Sequence, residues 1–155
     1  MAFKLIGVFV FATMLLASAR PAEACSCVRI DGHEGIAADL LRYDAIIEGT
    51  VESISLGIRP WPSDWNVPPE LAGNGREIHV VNLKDAKYLR GIAEAIVITA
   101  PQEAACGYRF HVGSRYVITA SMKDGELTVS LCSLTRLSYQ AEEIFEHIKR
   151  LPPPD

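Results

Sequence analysis

The chain has 155 residues, 49% of them hydrophobic and 22% charged, and a net charge of −4. That is enough for one domain around one core. The acidic balance, without a basic run, gives nucleic-acid binding no support. The longest apolar run, Leu5 to Ala17, falls short of the roughly 18–20 residues needed to cross a bilayer, so no membrane span is expected.

Lys4, that apolar run and the small-residue site Ala22-Glu23-Ala24 read as a secretory signal peptide over residues 1–24. The expected mature protein is then secreted or periplasmic. It has a domain over residues 25–151 and an extended tail over residues 152–155, where Pro152, Pro153 and Pro154 stand. Cys25, Cys27, Cys106 and Cys132 are the only cysteines, and an even number in an exported chain points to disulfides. A Cys25–Cys27 bridge would close a strained ring. The two ends of Cys25-Ser26-Cys27 are therefore expected to reach separately to Cys106 and Cys132, in either order. Each bridge would close a loop of roughly 80 to 105 residues, for about 4 to 5 kcal/mol in the chain-entropy model when taken alone. A zinc site made of the four thiolates is the competing reading, but Cys106 and Cys132 lack the short spacing of structural zinc modules.

Ile36, Leu40 and Tyr43 share a helical face, so two helical turns are expected from Ile36 to Tyr43. Ala45 to Leu56 alternates as a long strand with Gly49 as a candidate bulge. Gly57 to Gly75, with four prolines and Trp61 and Trp65 among them, reads as a long exposed loop. Its tryptophans either anchor it to the domain or form a recognition surface.

Further strands are expected over Arg76 to Leu89, Ala95 to Thr99, Tyr108 to Val112, Tyr116 to Met122 and Leu127 to Leu131. Gly113-Ser114 and Lys123-Asp124-Gly125 supply turns. Ser138 to Arg150 reads as a closing helix, with Ser138 as N-cap and Ala141, Ile144, Phe145 and Ile148 on its inner face. The fold class is mainly β: a small closed five-stranded barrel of the oligonucleotide/oligosaccharide-binding (OB) type, with a short N-terminal helix and a C-terminal helix.

His33, His79, His111 and His147 are scattered without a short ligand spacing and read as surface or edge residues. No nucleophile elbow, phosphate loop or C-x-x-C motif occurs, so an enzyme is not expected and no cofactor is implied.

The start Cys25-Ser26-Cys27, the run TAPQEAACGYRFHVG from Thr99 to Gly113, the strand from Tyr116 to Ala120 and the segment LTVSLCSL ending at Leu134 resemble the tissue inhibitors of metalloproteinases, within the netrin-like group. The resemblance covers nearly the whole mature chain. It departs from the animal members in three ways. A third cysteine pair is missing, as is the cysteine-rich C-terminal subdomain, and Val28-Arg29-Ile30 replaces a proline. The short forms found in bacteria are closer.

The resemblance implies bridges Cys25–Cys106 and Cys27–Cys132. It further implies that Glu103, Ala104 and Ala105 stand beside Ser26 and Val28 as one protease-contacting ridge, and that Ser26 enters the main specificity pocket. Cys25 is then the chelating residue: its amine and carbonyl bind the zinc of a partner metalloendopeptidase, the only metal concerned. The expected inhibitor acts as a monomer. A non-inhibitory netrin-like binding module is the alternative, and lipidation of Cys25 a third reading opposed by the poor Ala22-Glu23 lipobox.

Overall fold

The computed structural model describes Cys27 and residues 33–61, 66–101 and 106–152. The predicted signal peptide, Cys25, Ser26, Val28, Trp65, Glu103, Ala104, Ala105 and the last residues of the tail lie outside them. The described chain is mainly β. A first helix, α1 (His33–Leu40), precedes strands β1 (Ala45–Arg59) and β2 (Arg76–Gly91), with a one-turn helix α2 (Pro69–Ala72) between them. Strands β3 (Ile96–Thr99), β4 (Arg115–Lys123), β5 (Glu126–Val129) and β6 (Arg136–Leu137) follow, then a 3-10 turn (Ser138–Gln140) and helix α3 (Glu142–Ile148).

The six strands form one sheet in the order β1-β2-β3-β5-β4-β6, and a further β1–β4 pairing closes five of them into a ring. All pairings are antiparallel except β3 with β5, which run parallel. β1 can serve both neighbours because it is long. Its first half, Ala45 to Thr50, pairs with β4, and β2 borders nearly its whole length. Gly49 is skipped in the β1–β2 register, where the partners jump from Glu48 to Thr50, as expected of a bulge, and two more irregularities follow at Ile46/Ile47 and Val51/Ser53. Such irregularities bend and twist a strand, which helps a small sheet to close on itself.

Two apolar clusters explain the burial pattern. Ala45, Ile47, Val51, Val81, Leu83, Val97, Tyr116, Ile118, Ala120, Leu127 and Val129 pack together as the main core. Ile46 and Val117, pointing the other way, pack with Leu40, Ala141 and Ile144 from the helices. Successive strand residues face opposite sides, so Ala45-Ile46-Ile47 is buried throughout because both faces are covered there. Farther along β1 only one side is covered, and polar residues return.

Several expectations change. The first helix begins at His33 and ends at Leu40, because the next residues make the turn that delivers the chain into β1. Within the expected 57–75 loop, β1 continues to Arg59, paired with Arg76, and α2 starts on Pro69. Proline fits the first helical turn because its missing N–H has no helical partner there. Trp61 is half-buried, and its indole Nε1 donates to the Leu71 carbonyl at 3.0 Å, which ties the connection to α2. At the same end, Arg59 Nε and Nη2 donate to Glu126 Oε1 at 2.8 and 2.6 Å, and Arg76 faces Asp124 at 3.8 Å. These pairs fix the direction of the β1–β2 arm more than they stabilise it, since half-exposed ion pairs contribute little.

Tyr108 to Val112 is not a strand; its aromatic side chains and backbone bond elsewhere, as described below. The closing helix is shorter than expected, with Ala141 rather than Ser138 at its N-cap and no side-chain cap bond. The 3-10 turn intervenes. Ala141 and Ile144 are buried, and Phe145 and Ile148 pack beside them as expected. His147, expected at the surface, is only 8% exposed, because it sits three residues after Ile144 on the inner face.

Strand β6 was not foreseen, and it depends on Thr135. The Thr135 hydroxyl accepts from the Thr119 backbone N–H at 3.0 Å and donates to its carbonyl at 3.4 Å, while Ser133 Oγ lies 2.9 Å away. Thr135 is 4% exposed. Thr135→Val keeps the shape and removes these bonds. It is expected to cost about 1–3 kcal/mol in urea unfolding, while Thr135→Ser retains most of the stability.

Candidate functional site

β3 and β5 run parallel and end together, Thr99 opposite Val129. Among the residues that follow, 100–101 and 106–107 on one side and 130–132 on the other therefore lie close together. Gly107 pairs with Ser130 in an isolated bridge, and the Leu131 N–H donates to the Cys106 carbonyl at 2.8 Å. Cys106 is thereby placed next to the segment that carries Cys132. Cys132 is bonded to Cys27, with Cα atoms 5.1 Å apart and a sequence separation of 105. This bridge excludes the four-thiolate zinc reading. Cys106 is also disulfide-bonded, and no cysteine among the described residues is free.

The T-A-P-x4-C-G motif has a physical reason in the neck of the loop it spans. Thr99, 1% exposed, accepts through Oγ1 from the Tyr108 N–H at 2.8 Å. The Ala100 carbonyl comes so close to Gly107 that a Cβ there would lie 2.0 Å from its oxygen. Only glycine admits that approach. Cys106 has φ of 83°, a left-handed conformation that non-glycine residues adopt only when their surroundings impose it. The neck thus holds Pro101 and Cys106 at the end of the ring. Glu103, Ala104 and Ala105 lie outside the described residues.

The segment after the neck caps the core. Phe110, 6% exposed, packs with Tyr108 and Tyr116 at ring-centroid distances of 4.8 and 5.1 Å. The Tyr116 hydroxyl accepts from the His111 N–H at 3.1 Å. These contacts satisfy the segment without a ladder. Burial, with Tyr116 beside it, pushes the Tyr108 phenol up to about 12. A raised phenol pKa means that folding favours the neutral form. The fold then has its full stability below the ordinary value near 10 and loses some as pH rises from there toward about 12. Burial also raises the Tyr43 phenol, so ultraviolet titration of the five tyrosines should show Tyr43 and Tyr108 lagging the unfolded chain, and Tyr108→Phe should remove the latest step.

Two concavities flank this end. One, of about 370 Å³, is lined by Asp39, Arg42, Tyr43, Ser121, Ser130 and Cys132. The other, about 450 Å³, lies between the β1–β2 arm and the neck, with Leu56, Glu77, His79, Pro101, Arg109, Phe110 and His111 on its walls. Sequence reasoning missed this groove, although Glu77 with His79 and Arg109 with His111 stand at alternating positions that place each pair on one side of an extended segment. Among the described residues no group of histidine, cysteine, aspartate or glutamate side chains is arranged to hold a metal.

No protein-family model matches the chain, and no curated protein matches its sequence. The likeness to the tissue inhibitors of metalloproteinases therefore rests on the residues quoted above. Of the residues it implicates, the structure brings Cys27, Cys106 and Cys132 to one end of the five-strand ring.

Proposed function

We propose that the chain is an exported inhibitor of zinc metalloendopeptidases, built on a small closed barrel of the OB type. The ring of five strands with a single parallel pairing supports the barrel. The observation that carries the functional reading is the convergence of Cys106 and the Cys27–Cys132 bridge through the Cys106–Leu131 bond. Cys25 precedes Cys27 by two residues, a span of at most about 7 Å, and is the one remaining cysteine in the sequence. This reading pairs Cys25 with Cys106, as the resemblance implies.

In this reading the α-amino nitrogen and carbonyl oxygen of Cys25 form a five-membered chelate on the partner's zinc and displace the water that a catalytic zinc keeps. An α-amino group has a pKa near 8, so a useful fraction is neutral and can donate its lone pair at neutral pH. Two bridges one residue apart hold these atoms in place before the partner arrives, which reduces the entropy lost on binding. Ser26, Cys27 and Val28, with Glu103, Ala104 and Ala105 beside them, make the contacting ridge.

A non-reducing peptide map should recover Cys25 joined to Cys106, and the mature protein should titrate at least one member of a zinc endopeptidase panel to stoichiometric inhibition. A mature terminus other than Cys25, or no inhibition across a broad panel, would leave the non-inhibitory binding module as the better reading.

A further inference from the structure

We infer that the outer edge of β1, from Ser53 to Arg59, pairs antiparallel with the same edge of a second copy of the chain. The inference is independent of the proposed inhibition, and it departs from the monomer expected from the sequence. β4 borders β1 only from Ala45 to Thr50, and the contact on that side ends at Val51, which donates its N–H to Ser114 and accepts from Gly113. Beyond it, β2 is the one strand beside β1 among the described residues.

Which backbone groups turn outward follows from β2. The Leu83 N–H goes to the Ala95 carbonyl, on the β3 side. Residues of an antiparallel strand turn their N–H and C=O groups to alternate sides, so Asn82, Val80 and Ile78 serve β1 through their partners Ser53, Ser55 and Gly57. Ile54, Leu56 and Ile58 are left with theirs directed away from β2. The Ile58 carbonyl accepts from Arg59 Nη1 at 3.2 Å, a bond within the arm that keeps its second lone pair open.

An edge of this kind is a template for pairing unless charge, proline or a bulge protects it. From Ser53 to Ile58 the sequence has neither charge nor proline, and the last irregularity of the β1–β2 register lies before Ser53. Leu56 and Ile58 are 62% and 64% exposed.

A second copy is the occupant that this segment fits. The regular stretch is bounded by the irregularity before Ser53 and by Pro60, which has no N–H to give, and Leu56 stands at its midpoint. About a two-fold axis there, Leu56 meets the Leu56 of the other copy, Ile54 meets Ile58, Ser55 meets Gly57 and Ser53 meets Arg59. Apolar side chains then face apolar ones on one side of the shared sheet, and no like charges are opposed on the other. An isologous contact requires such self-complementarity. A single strand pair buries less than the roughly 800 Å² per partner of a standard interface, so a dissociation constant on the order of 100 μM is expected.

The test uses the mature, disulfide-bonded protein in sedimentation equilibrium from about 10 μM to 1 mM, with amide hydrogen exchange followed by NMR over the same range. A monomer–dimer equilibrium should appear and strengthen with salt, because copies of net charge −4 repel. The amides of Ile54, Leu56 and Ile58 should exchange more slowly as concentration rises. Leu56→Lys sets like charges together at the axis and should weaken the dimer about tenfold or more. Ile58→Lys should act in the same direction, whereas Leu41→Lys, at another exposed apolar site, should leave the dimer intact. Thermal unfolding checks each variant, and the exchange measurement on the parent needs none of them. Three results would each overturn the proposal: a monomer at every concentration, a dimer unchanged in both edge variants, or a dimer that leaves those three amides unprotected.

Discussion

Replacing both Cys27 and Cys132 by alanine is expected to lower stability by about 3 to 4 kcal/mol, the largest effect of any change considered. The bridge joins positions 105 apart in sequence, but with the proposed Cys25–Cys106 bridge still in place its removal frees a loop of about 30 residues in the unfolded chain. The loss is of the same order as the whole stability of many domains of this size. Urea unfolding of the oxidised protein and of the double variant should show the midpoint fall far, with a steeper dependence on urea as the unfolded chain becomes less compact. A change below about 1 kcal/mol would mean that this end of the ring holds together without its cross-link.

The second large effect is expected at Gly107. A Cβ at this position would stand 2.0 Å from the Ala100 oxygen, 2.8 Å from its carbonyl carbon and 3.0 Å from the Pro101 oxygen. All three are backbone atoms, so no side chain can turn aside. The clash must be relieved by opening the neck, which would break the Gly107–Ser130 pairing and stretch the bond from Tyr108 to Thr99. Overpacking of this kind costs about 1–3 kcal/mol or more. Gly107→Ala should therefore lower the thermal midpoint by several degrees. A variant as stable as the parent would contradict the account of the T-A-P-x4-C-G motif. In the proposed inhibitor the same change would also displace Cys106 and with it the ridge, so inhibition should fall by more than stability alone explains.

Much of the fold was legible because periodicity reports which faces are buried. β1, β2 and β5 alternate over part of their length, β4 is a continuous apolar run buried on both faces, and Lys123-Asp124-Gly125 predicts the hairpin because Asp124 and Gly125 both take positive φ, 52° and 80°, as a tight turn of that twist requires. Periodicity misled where burial came from something other than a ladder. Tyr108 to Val112 has the composition of a strand, but its aromatics pack as a cap and the Tyr116 hydroxyl takes one of its backbone bonds. β6 is two residues long and depends on Thr135 bonding to the backbone of Thr119, a contact with no local signature. Ser138 has the chemistry of a helix cap, yet the 3-10 turn puts it too early in the chain. At the candidate site, the spacing of the cysteines anticipates that Cys27 reaches as far as Cys132. The groove was hidden because its walls come from three separated segments.

The central claim is that the amine of Cys25 chelates a partner's zinc, and it is tested most directly at the amino terminus. The mature protein, its first residue verified as Cys25 by mass spectrometry, should be titrated into a zinc endopeptidase that it inhibits, beside a version with one alanine added before Cys25. The addition turns the amine into an amide, which cannot donate its nitrogen lone pair to zinc, and leaves the Cys27–Cys132 bridge untouched. The account predicts that the extended protein loses inhibition by about 100-fold or more, equivalent to about 2.7 kcal/mol. Equal inhibition by the two forms would contradict it.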